Sequence, residues 1–590
     1  MNDVILKQLE KINDFSSADK SFSPFFSNIG LEVNPEKEGA GALWLHYNRS
    51  SRKLWNSLMA FPLKQNKALS SPWCVSYGEG EKTAALTFGN TDCIMFTAEG
   101  LERTGLFTQP DEKLHSFWIE SFTETDVSLR GYSYNTDDRD PDETVPFRAY
   151  AKILNGSFSR EGEKLFAEAE NGKILLGISF GFLDNLDTVE SAWEKSGYPM
   201  NEFKAACESC RSIAVQNTLF FSLEPKDERT AFLAAKALHG LSSNITKAPG
   251  RLSKYLSAYP SRGAYPTHFL WDTCFQNLAY EKINPVAAKQ FLLQFAQCQR
   301  PDGKYEQFIC STWGRPHYSQ PALVGSAVKR LAELEFDKAF VEAMLPSLEK
   351  NNMWWLNSRI AKNGLILCPH GLETGQDDSP RFDNGTTYSC DMNAYVLNQL
   401  NATADLFEMA DNEKKALYWR NKAKALSAVI LRELYCEEEN IFYDKSPETG
   451  EFVRMVSPVS LLPLWAGVKL PESKARAMIE KYLLSPEYLF GKVPFPSVAY
   501  NEKEYKSDGW WRGPTWMPEA WLMLEALKKF GYEKEYSEAC ERLLAVLKAD
   551  GEMHELFDSQ SGKGLGACEQ GWTNAIFIRL LYETEGGGAV

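Results

Sequence analysis

Hydrophobic and polar residues alternate with a period of two over the first part of this chain, up to residue 215. In residues 43–48, Leu, Leu and Tyr alternate with Trp, His and Asn, a pattern that is typical of strands with one buried face. Turn-forming residues lie between such runs at 89–92, and Asn155-Gly156 and Asn171-Gly172 are strong hairpin signals. Residues 1–215 are therefore predicted to form an antiparallel β-sandwich domain.

From residue 225 onward the period lengthens to that of amphipathic helices. Before this point, residues 188–210 predict a helical linker and residues 213–223 a last strand. Asn284-Pro285 is a good helix start, because Asn is a favoured N-cap and Pro fits the first helical position. The predicted helices span 226–240, 272–281, 285–299, 319–335, 337–358, 388–410, 413–436, 457–467, 472–484, 513–530, 533–549 and 570–584.

Short loops rich in Gly, Pro and Trp join these helices, so successive helices are expected to pack as hairpins. Twelve helices in sequential hairpins predict an (α/α)6 barrel over 225–590, in which six inner helices surround a pocket. A helical-repeat solenoid is the structural alternative, but no sequence repeat supports it. The predicted fold is thus a mixed two-domain one, an N-terminal antiparallel β-sandwich followed by an all-α (α/α)6 barrel.

The composition excludes several classes of partner. A net charge of −15 over 590 residues argues against nucleic acid or an anionic membrane surface, and no segment is apolar enough to span a membrane. The N-terminus lacks the apolar stretch of a secretory signal, so a cytoplasmic location is expected.

The C-x-x-C at Cys207 and Cys210 has no second ligand pair, which favours reduced, buried thiols over a zinc site. We predict no metal, and no nucleotide or redox cofactor, since no phosphate-binding Gly-rich motif is present.

Tryptophans are concentrated in the helical region, where eleven of the sixteen follow residue 270. Several of them stand in loops beside Gly, Arg or Asp, as in 271–272, 313–315, 510–516 and 571–572. A loop tryptophan with polar neighbours suits a sugar ring, which stacks on the indole while its hydroxyls bond the polar groups. The tryptophans within helices are instead predicted to pack in the core.

Residues 371–383 concentrate four carboxylates in one loop, and a second acidic and aromatic element follows at 554–558. Two separated carboxylates amid tryptophans meet the needs of glycoside hydrolysis, in which one protonates the leaving oxygen and the other activates water. Asp377, which has other acids close by in the sequence, suits the protonated acid. Glu555 suits the base.

The same residues have plainer interpretations. An acidic loop is commonly a solvated turn, and Asp377 or Asp378 can cap a helix. Glu373 and Asp383 are predicted to hold Arg381 in an ion pair. A cation site built from Asp377, Asp378 and Asp383 lacks the calcium-loop spacing and is not predicted.

An ordered series of motifs in the helical region resembles glycoside hydrolase family 63. The motifs are Phe269-Leu270-Trp271-Asp272, Ser319-Gln320-Pro321, Gly371–Asp383, Trp511-Arg512-Gly513-Pro514-Thr515-Trp516, Glu555-Leu556-Phe557-Asp558 and Gly571-Trp572-Thr573. That group includes α-glucosidases and the mannosylglycerate and glucosylglycerate hydrolases, and the inverting trehalases are looser relatives. The resemblance covers about residues 225–585.

The resemblance implies an (α/α)6 catalytic domain, often preceded by a β-sandwich, and an inverting mechanism. The family's general acid falls on Asp377 and its general base on Glu555. Glu569 is a rival base, although its place beside the last helix is better explained by charge complementarity with the helix start. The substrate-binding residues implied in the same way are Trp271, Asp272, Gln320, Gly375, Trp511, Arg512, Trp516 and Trp572.

We therefore expect an exo-acting inverting glycoside hydrolase that cleaves a terminal α-linked sugar, with an α-glucoside as the favoured substrate. A trehalase or a mannosylglycerate or glucosylglycerate hydrolase would use the same carboxylates. Arg315 and Arg262 are the candidate cations for an aglycone that carries a carboxylate. A catalytically silent carbohydrate-binding protein is the alternative from another class. The expected partner is a small oligosaccharide or glycoside, and the sequence predicts no oligomeric state.

Overall fold

The structure, a computed structural model, forms two compact units. It describes residues 3–17, 20–23, 26–46, 52–90, 92–111, 115–134, 144–183, 202–215 and 221–585. The first unit comprises Met1–Thr267 with Cys310–Thr312, and the second His268–Ile309 with Trp313–Val590. The domain limits predicted from the sequence, 1–215 and 225–590, stay a prediction. The compact units differ from them, because the first unit extends to Thr267.

Antiparallel strands dominate the first unit. They are β1 (Ile29–Leu31), β2 (Glu38–Ala40), β3 (Leu43–Leu45), β4 (Arg52–Lys64), β5 (Val75–Glu79), β6 (Lys82–Asn90), β7 (Cys93–Glu99), β8 (Arg103–Pro110), β9 (His115–Phe122), β10 (Asp126–Tyr134), β11 (Thr144–Asn155), β12 (Ser157–Glu161), β13 (Lys164–Glu168), β14 (Lys173–Phe182), β15 (Ile245–Thr246) and β16 (Ser257–Ala258). Its helices are α1 (Asp3–Leu9), α2 (Phe203–Ala214) and α3 (Glu228–Asn244).

The long strands form two sheets that pack face to face. One sheet has the order β1-β3-β4-β8-β13-β12, with β2 also on β4, and the other has the order β5-β6-β7-β14-β11-β10-β9. Trp55 of β4 is fully buried between them, with its ring centroid 5.7 Å from that of Phe117 and 6.0 Å from that of Phe147 in the opposite sheet. Aromatic side chains from the two inner faces thus build the core. The predicted β-sandwich is confirmed.

The turn signals predicted local geometry better than strand pairing. Asn171 and Gly172 both have positive φ (54° and 75°), and Glu170 and Lys173 exchange backbone hydrogen bonds across them. However, β13 before this turn and β14 after it lie in different sheets, and so do β11 and β12 around Asn155-Gly156. The two predicted hairpins are therefore crossovers. Turn residues set how the backbone bends, whereas burial of each strand's apolar face decides its partner.

The segment that follows the sandwich also differs from the prediction. Ile213 and Ala214, expected to begin a strand, end α2, because α2 buries Ala206 against Cys93 and Met95 of β7 and the helix extends along that contact. Residues 221–223, the end of the predicted strand, are not in a strand either, whereas 188–201 and 216–220 lie outside the described residues.

Helices and short strands make up the second unit. The helices are α4 (Leu270–Ile283), α5 (Pro285–Gln297), α6 (Val324–Leu334), α7 (Lys338–Trp354), α8 (Cys390–Met409), α9 (Glu413–Leu434), α10 (Leu462–Ala466), α11 (Glu472–Met478), α12 (Met517–Lys529), α13 (Glu533–Asp550) and α14 (Gly571–Glu585). The strands are β17 (His268–Phe269), β18 (Phe308–Ile309), β19 (Tyr435–Cys436), β20 (Ile441–Phe442), β21 (Asp444–Lys445), β22 (Phe452–Val453), β23 (Leu556–Phe557) and β24 (Gly564–Leu565).

Alternate helices close into a ring. Each of α4, α6, α8, α10, α12 and α14 contacts the next, and α14 contacts α4. The longer inner helices are buried on most sides, whereas the outer helix α9 buries mainly one stripe of residues. The Asn284 side chain caps α5 by accepting a hydrogen bond from the Ala287 amide (3.1 Å), and Pro285 is the first helical residue. The predicted (α/α)6 barrel is confirmed. Among the described residues, no helix has the length and apolarity that a membrane span needs.

Candidate active site

The predicted site residues come together at one end of the helical ring. Inner helices are separated along the chain by outer ones, so they run in the same direction and their N-termini share one end. Trp271 and Asp272 lie in the first turn of α4, and Trp516 and Gly571-Trp572 lie at the starts of α12 and α14. The loop 371–383 comes before α8. These starts all open onto one mouth of the barrel.

Asp377 has the properties of a proton donor. It stands between two single 3₁₀ turns, Gly371–Glu373 and Pro380–Phe382. The residue is exposed to solvent, yet protein atoms surround its carboxyl closely, as they do around a group that lines a concavity. This burial, with the negative charge of Asp378, raises the pKa of Asp377 to about 6 against the opposing positive charge of Arg315. An acid with this pKa keeps part of its protonated form near neutral pH.

Asp272 connects the two predicted catalytic carboxylates. Burial raises the pKa of Asp272 well above its usual range, and the negative charges of Glu555 and Asp377 add to this effect. Asp272 therefore lies near enough to both Asp377 and Glu555 to interact with each of them electrostatically. A raised pKa favours the neutral form of Asp272, which can both donate and accept hydrogen bonds, as sugar hydroxyls also do.

Glu555 is held rigidly just before β23. Its backbone amide donates to the Ala567 carbonyl (2.8 Å), and its Oε2 accepts from the Ala567 amide (3.2 Å). The Glu555 carbonyl accepts from the indole of Trp572 (3.0 Å). Glu569 has a positive φ of 54° and is bonded through its amide to Glu552. The choice of Glu555 rather than Glu569 as base stays a prediction.

The four predicted subsite tryptophans pack against one another. Trp511 and Trp516 are stacked, with centroids 3.8 Å apart and an interplanar angle of 5°. Trp271 lies 6.0 Å from both Trp511 and Trp572, and Trp516 lies 5.9 Å from Trp572. All four are only 1–4% exposed. They build one continuous aromatic wall, and their contact with a sugar stays a prediction.

Gly375 is placed where a side chain does not fit. Its φ is +80°, and an added Cβ would lie 2.5 Å from the ring of Trp271. We expect Gly375→Ala to lower kcat/KM by about 10-fold or more, because either Trp271 or the acid loop must move and small misplacements are costly. Gly385→Ala is the matched control, since Gly385 also has positive φ (+98°) but no atom within 4 Å of the added Cβ. Equal losses in the two variants would show that backbone strain, not the contact with Trp271, is responsible.

Arginine pairing in this region differs from the prediction. Arg381 is buried and binds Asp391 and Asp444, each at 2.6 Å, rather than Glu373 and Asp383. Glu373 instead binds Arg359 at 2.6 Å. The predicted ion pair is wrong because Arg381 turns inward from its 3₁₀ turn, toward partners that are distant in sequence.

Two predicted substrate-binding residues also have protein partners of their own. Arg512 donates to Asp383 (3.1 Å), and Gln320 accepts a hydrogen bond from the Trp271 amide (3.0 Å). Both bonds support the shape of the site, since one holds the acid loop and the other fixes the start of α4. Their contact with a substrate stays a prediction. No group of three or more His, Cys, Asp or Glu in the described part of the chain is arranged to hold a metal ion.

The two candidate cations for an anionic aglycone have different surroundings. Arg262 belongs to the sheet-containing unit, where its buried guanidinium donates to the backbone carbonyls of Ser27 (2.7 Å) and Ile245 (3.0 Å). Arg315 belongs to the helical unit and acts electrostatically on Asp377. It donates to Gln307 (3.3 Å) and lies over the ring of Tyr318. Of the two, Arg315 is thus the cation of this site.

Comparison with known proteins identifies the family. The model of the mannosylglycerate hydrolase MGH1-like glycoside hydrolase domain matches residues 265–573. The chain belongs to this family. Mannosylglycerate hydrolase MGH1 of Selaginella moellendorffii is 24% identical over 404 residues, which are 55% of this chain and 82% of the relative. A mannosylglycerate hydrolase of Thermus thermophilus is 22% identical over 411 residues, 56% of this chain and 97% of the relative.

A solved structure of this family has the same fold. The GH63 mannosylglycerate hydrolase from Thermus thermophilus, in complex with Tris and D-glycerate, superposes with a TM-score of 0.52 at 18% identity. The match covers 59% of this chain and 99% of that one. The resemblance to family 63 is thereby confirmed, and the protein is a glycoside hydrolase of the MGH1-like family.

Proposed function

We propose that the protein is an exo-acting inverting hydrolase of a small α-glycoside whose aglycone carries a carboxylate. The observation that carries this proposal is the position of Arg315, whose positive charge acts on Asp377. A general acid lies next to the leaving oxygen, so a cation beside it lies on the aglycone side of the scissile bond. The glycerate glycosides named for the relatives have this chemistry.

In the proposed reaction, Glu555 removes a proton from a water molecule that attacks the anomeric carbon from the face opposite the aglycone. Asp377 gives its proton to the glycosidic oxygen as the bond to the anomeric carbon breaks. The products are the β-anomer of the sugar and the free aglycone. Asp272, whose pKa is raised by burial, binds hydroxyls of the terminal sugar beside the tryptophan wall.

The α-glucosyl group remains the favoured sugar of this proposal, and mannosyl is the alternative that the relatives' names supply. Trehalose and other neutral α-glucosides, which carry no carboxylate in the aglycone, are the competing substrates. A cytoplasmic location is part of the same proposal.

The test is time-resolved proton NMR with kojibiose, nigerose, maltose, trehalose, glucosylglycerate and mannosylglycerate. We expect a glycerate glycoside to be cleaved fastest, with the β-anomer appearing first. Early α-anomer would contradict inversion, and sugar binding without cleavage of any α-glycoside would support a silent binding protein.

A variant tests the role of the cation. Arg315→Gln is expected to raise KM for glucosylglycerate by about 10-fold or more, because a hydrogen bond to a charged group contributes about 1.5–3 kcal/mol. Glucosylglycerol, which has the same sugar and no carboxylate, is the matched control and should change far less. Equal losses on both compounds would remove Arg315 from the aglycone site.

A further inference from the structure

The side chain of Gln376 anchors the acid loop directly beside Asp377. Gln376 is buried and immediately precedes Asp377, which is exposed. Its amide oxygen accepts hydrogen bonds from Nε (3.2 Å) and from a terminal nitrogen (2.7 Å) of Arg381, and its amide nitrogen donates to Oε1 of Glu519. The residue that carries the proposed proton is therefore joined to one that is fixed in the core.

Arg381 determines which way this amide faces. A guanidinium has only donors, so the Gln376 oxygen must turn toward it and the NH₂ group must turn away, toward Glu519. Arg381 is itself held by Asp391 and Asp444, at 2.6 Å each. The orientation of the Gln376 amide is thus fixed on one side by an ion-pair network and on the other by the hydrogen bond to Glu519.

Glu519 lies in the first turn of α12 and is 1% exposed. Among the described residues its Oε2 has no hydrogen-bond partner, so the bond from Gln376 is the polar contact that this carboxyl makes there. Burial and the negative charge of Asp391 raise the pKa of Glu519 to about 8, against the opposing charge of Arg381, so the carboxyl is mostly neutral near pH 7. A neutral carboxyl can be imitated by an amide, whereas an apolar side chain leaves the Gln376 NH₂ group buried and unpaired.

We propose that Glu519 is a positioning residue for the general acid: through Gln376 it holds the backbone at residue 377 so that the Asp377 carboxyl faces the leaving oxygen. This inference rests on the proposed function, in which Asp377 is the proton donor. It also adds a link between α12 and the loop before α8. Sequence motifs did not reveal this link, because Gln376 and Glu519 lie far apart in the chain.

The test compares two substrates that differ in their need for the acid. One is the α-glycoside of the NMR panel that the wild type cleaves fastest, and the other is α-glucosyl fluoride, whose fluoride leaves with much less help from an acid. Glu519→Leu is expected to lower kcat on the glycoside by about 10²-fold, the scale of a 1 Å misplacement, and on the fluoride only a few-fold. Glu519→Gln should restore near-wild-type rates on both substrates.

Glu525→Leu is the matched control. Glu525 lies on the same helix and is half-buried, but it accepts hydrogen bonds from the indoles of Trp465 (2.8 Å) and Trp521 (3.0 Å) rather than from the acid loop. Any loss it causes should be the same on both substrates. Gln376→Met is the second variant for the case that Glu519→Leu does not fold. Like Glu519→Leu, Gln376→Met should lower kcat much more on the glycoside than on α-glucosyl fluoride.

The outcomes separate this inference from the proposed function. If Asp377→Asn loses activity mainly on the glycoside, while Glu519→Leu and Gln376→Met lower both substrates equally or neither, the positioning role is wrong and the acid assignment stands. If Asp377→Asn itself lowers both substrates equally, the acid assignment fails and the positioning role fails with it.

Discussion

Asp377→Asn is expected to lower kcat on α-glycosides by roughly 10²–10⁴-fold, the usual contribution of general acid catalysis. The amide keeps the size and polarity of the carboxyl but has no proton to give to the leaving oxygen. Sugar binding should stay within a few-fold of the wild type, because the aromatic wall and Asp272 are unchanged. Steady-state kinetics together with calorimetric binding of the free sugar measure both effects, and a wild-type rate would exclude Asp377 as the acid.

The pH profile gives this prediction a second readout. The acid must be protonated to act, and burial and Asp378 raise the pKa of Asp377 to about 6. The wild-type kcat/KM should therefore fall as the pH rises above about 6, and the Asn variant should lack this alkaline limb.

Two neighbouring substitutions should move the limb in opposite directions. Asp378→Asn removes the negative charge that raises the pKa of Asp377 and should shift the limb to lower pH. Arg315→Gln removes the charge that lowers this pKa and should shift the limb to higher pH. If the alkaline limb of kcat/KM stays at the same pH in both variants, a group other than Asp377 is responsible for it.

The sequence predicted the elements of the fold more reliably than their partners. Helix periodicity and caps such as Asn284-Pro285 are local, so the helical hairpins of the barrel were predictable. The crossovers at Asn155-Gly156 and Asn171-Gly172 were not, because the backbone bends in the same way whether the next strand joins the same sheet or the opposite one. Which strands pair with one another depends on how apolar faces are buried across the whole sandwich.

The same limit applies to the site. Asp377, Glu555 and the loop tryptophans could be singled out because carboxylates, glycines and indoles in loops are unusual and form ordered motifs. The partners of Arg381 could not, since Asp391 and Asp444 become its neighbours only after α8 and β21 have packed. For the same reason Glu519, buried in an apolar helix start, gave no sequence signal of its bond to Gln376.

Glu555→Gln is expected to lower hydrolysis by roughly 10²-fold or more, because the amide cannot remove a proton from the attacking water. The Gln side chain retains an oxygen that can accept from the Ala567 amide, as Oε2 of Glu555 does at 3.2 Å. Structure and sugar binding should therefore persist. Azide, a nucleophile that needs no base, should restore turnover of α-glucosyl fluoride by this variant and give the β-glucosyl azide.

Glu569→Gln is the matched control for this prediction, because Glu569 is also buried and lies just before α14. It is expected to keep most of the wild-type rate, since its predicted role is to complement the charge of the helix start. An inactive, azide-rescued Glu569→Gln together with an active Glu555→Gln would reverse the assignment of the base. The same barrel end would then still carry the reaction, with the water activated from the loop that immediately precedes α14 rather than from the residue before β23.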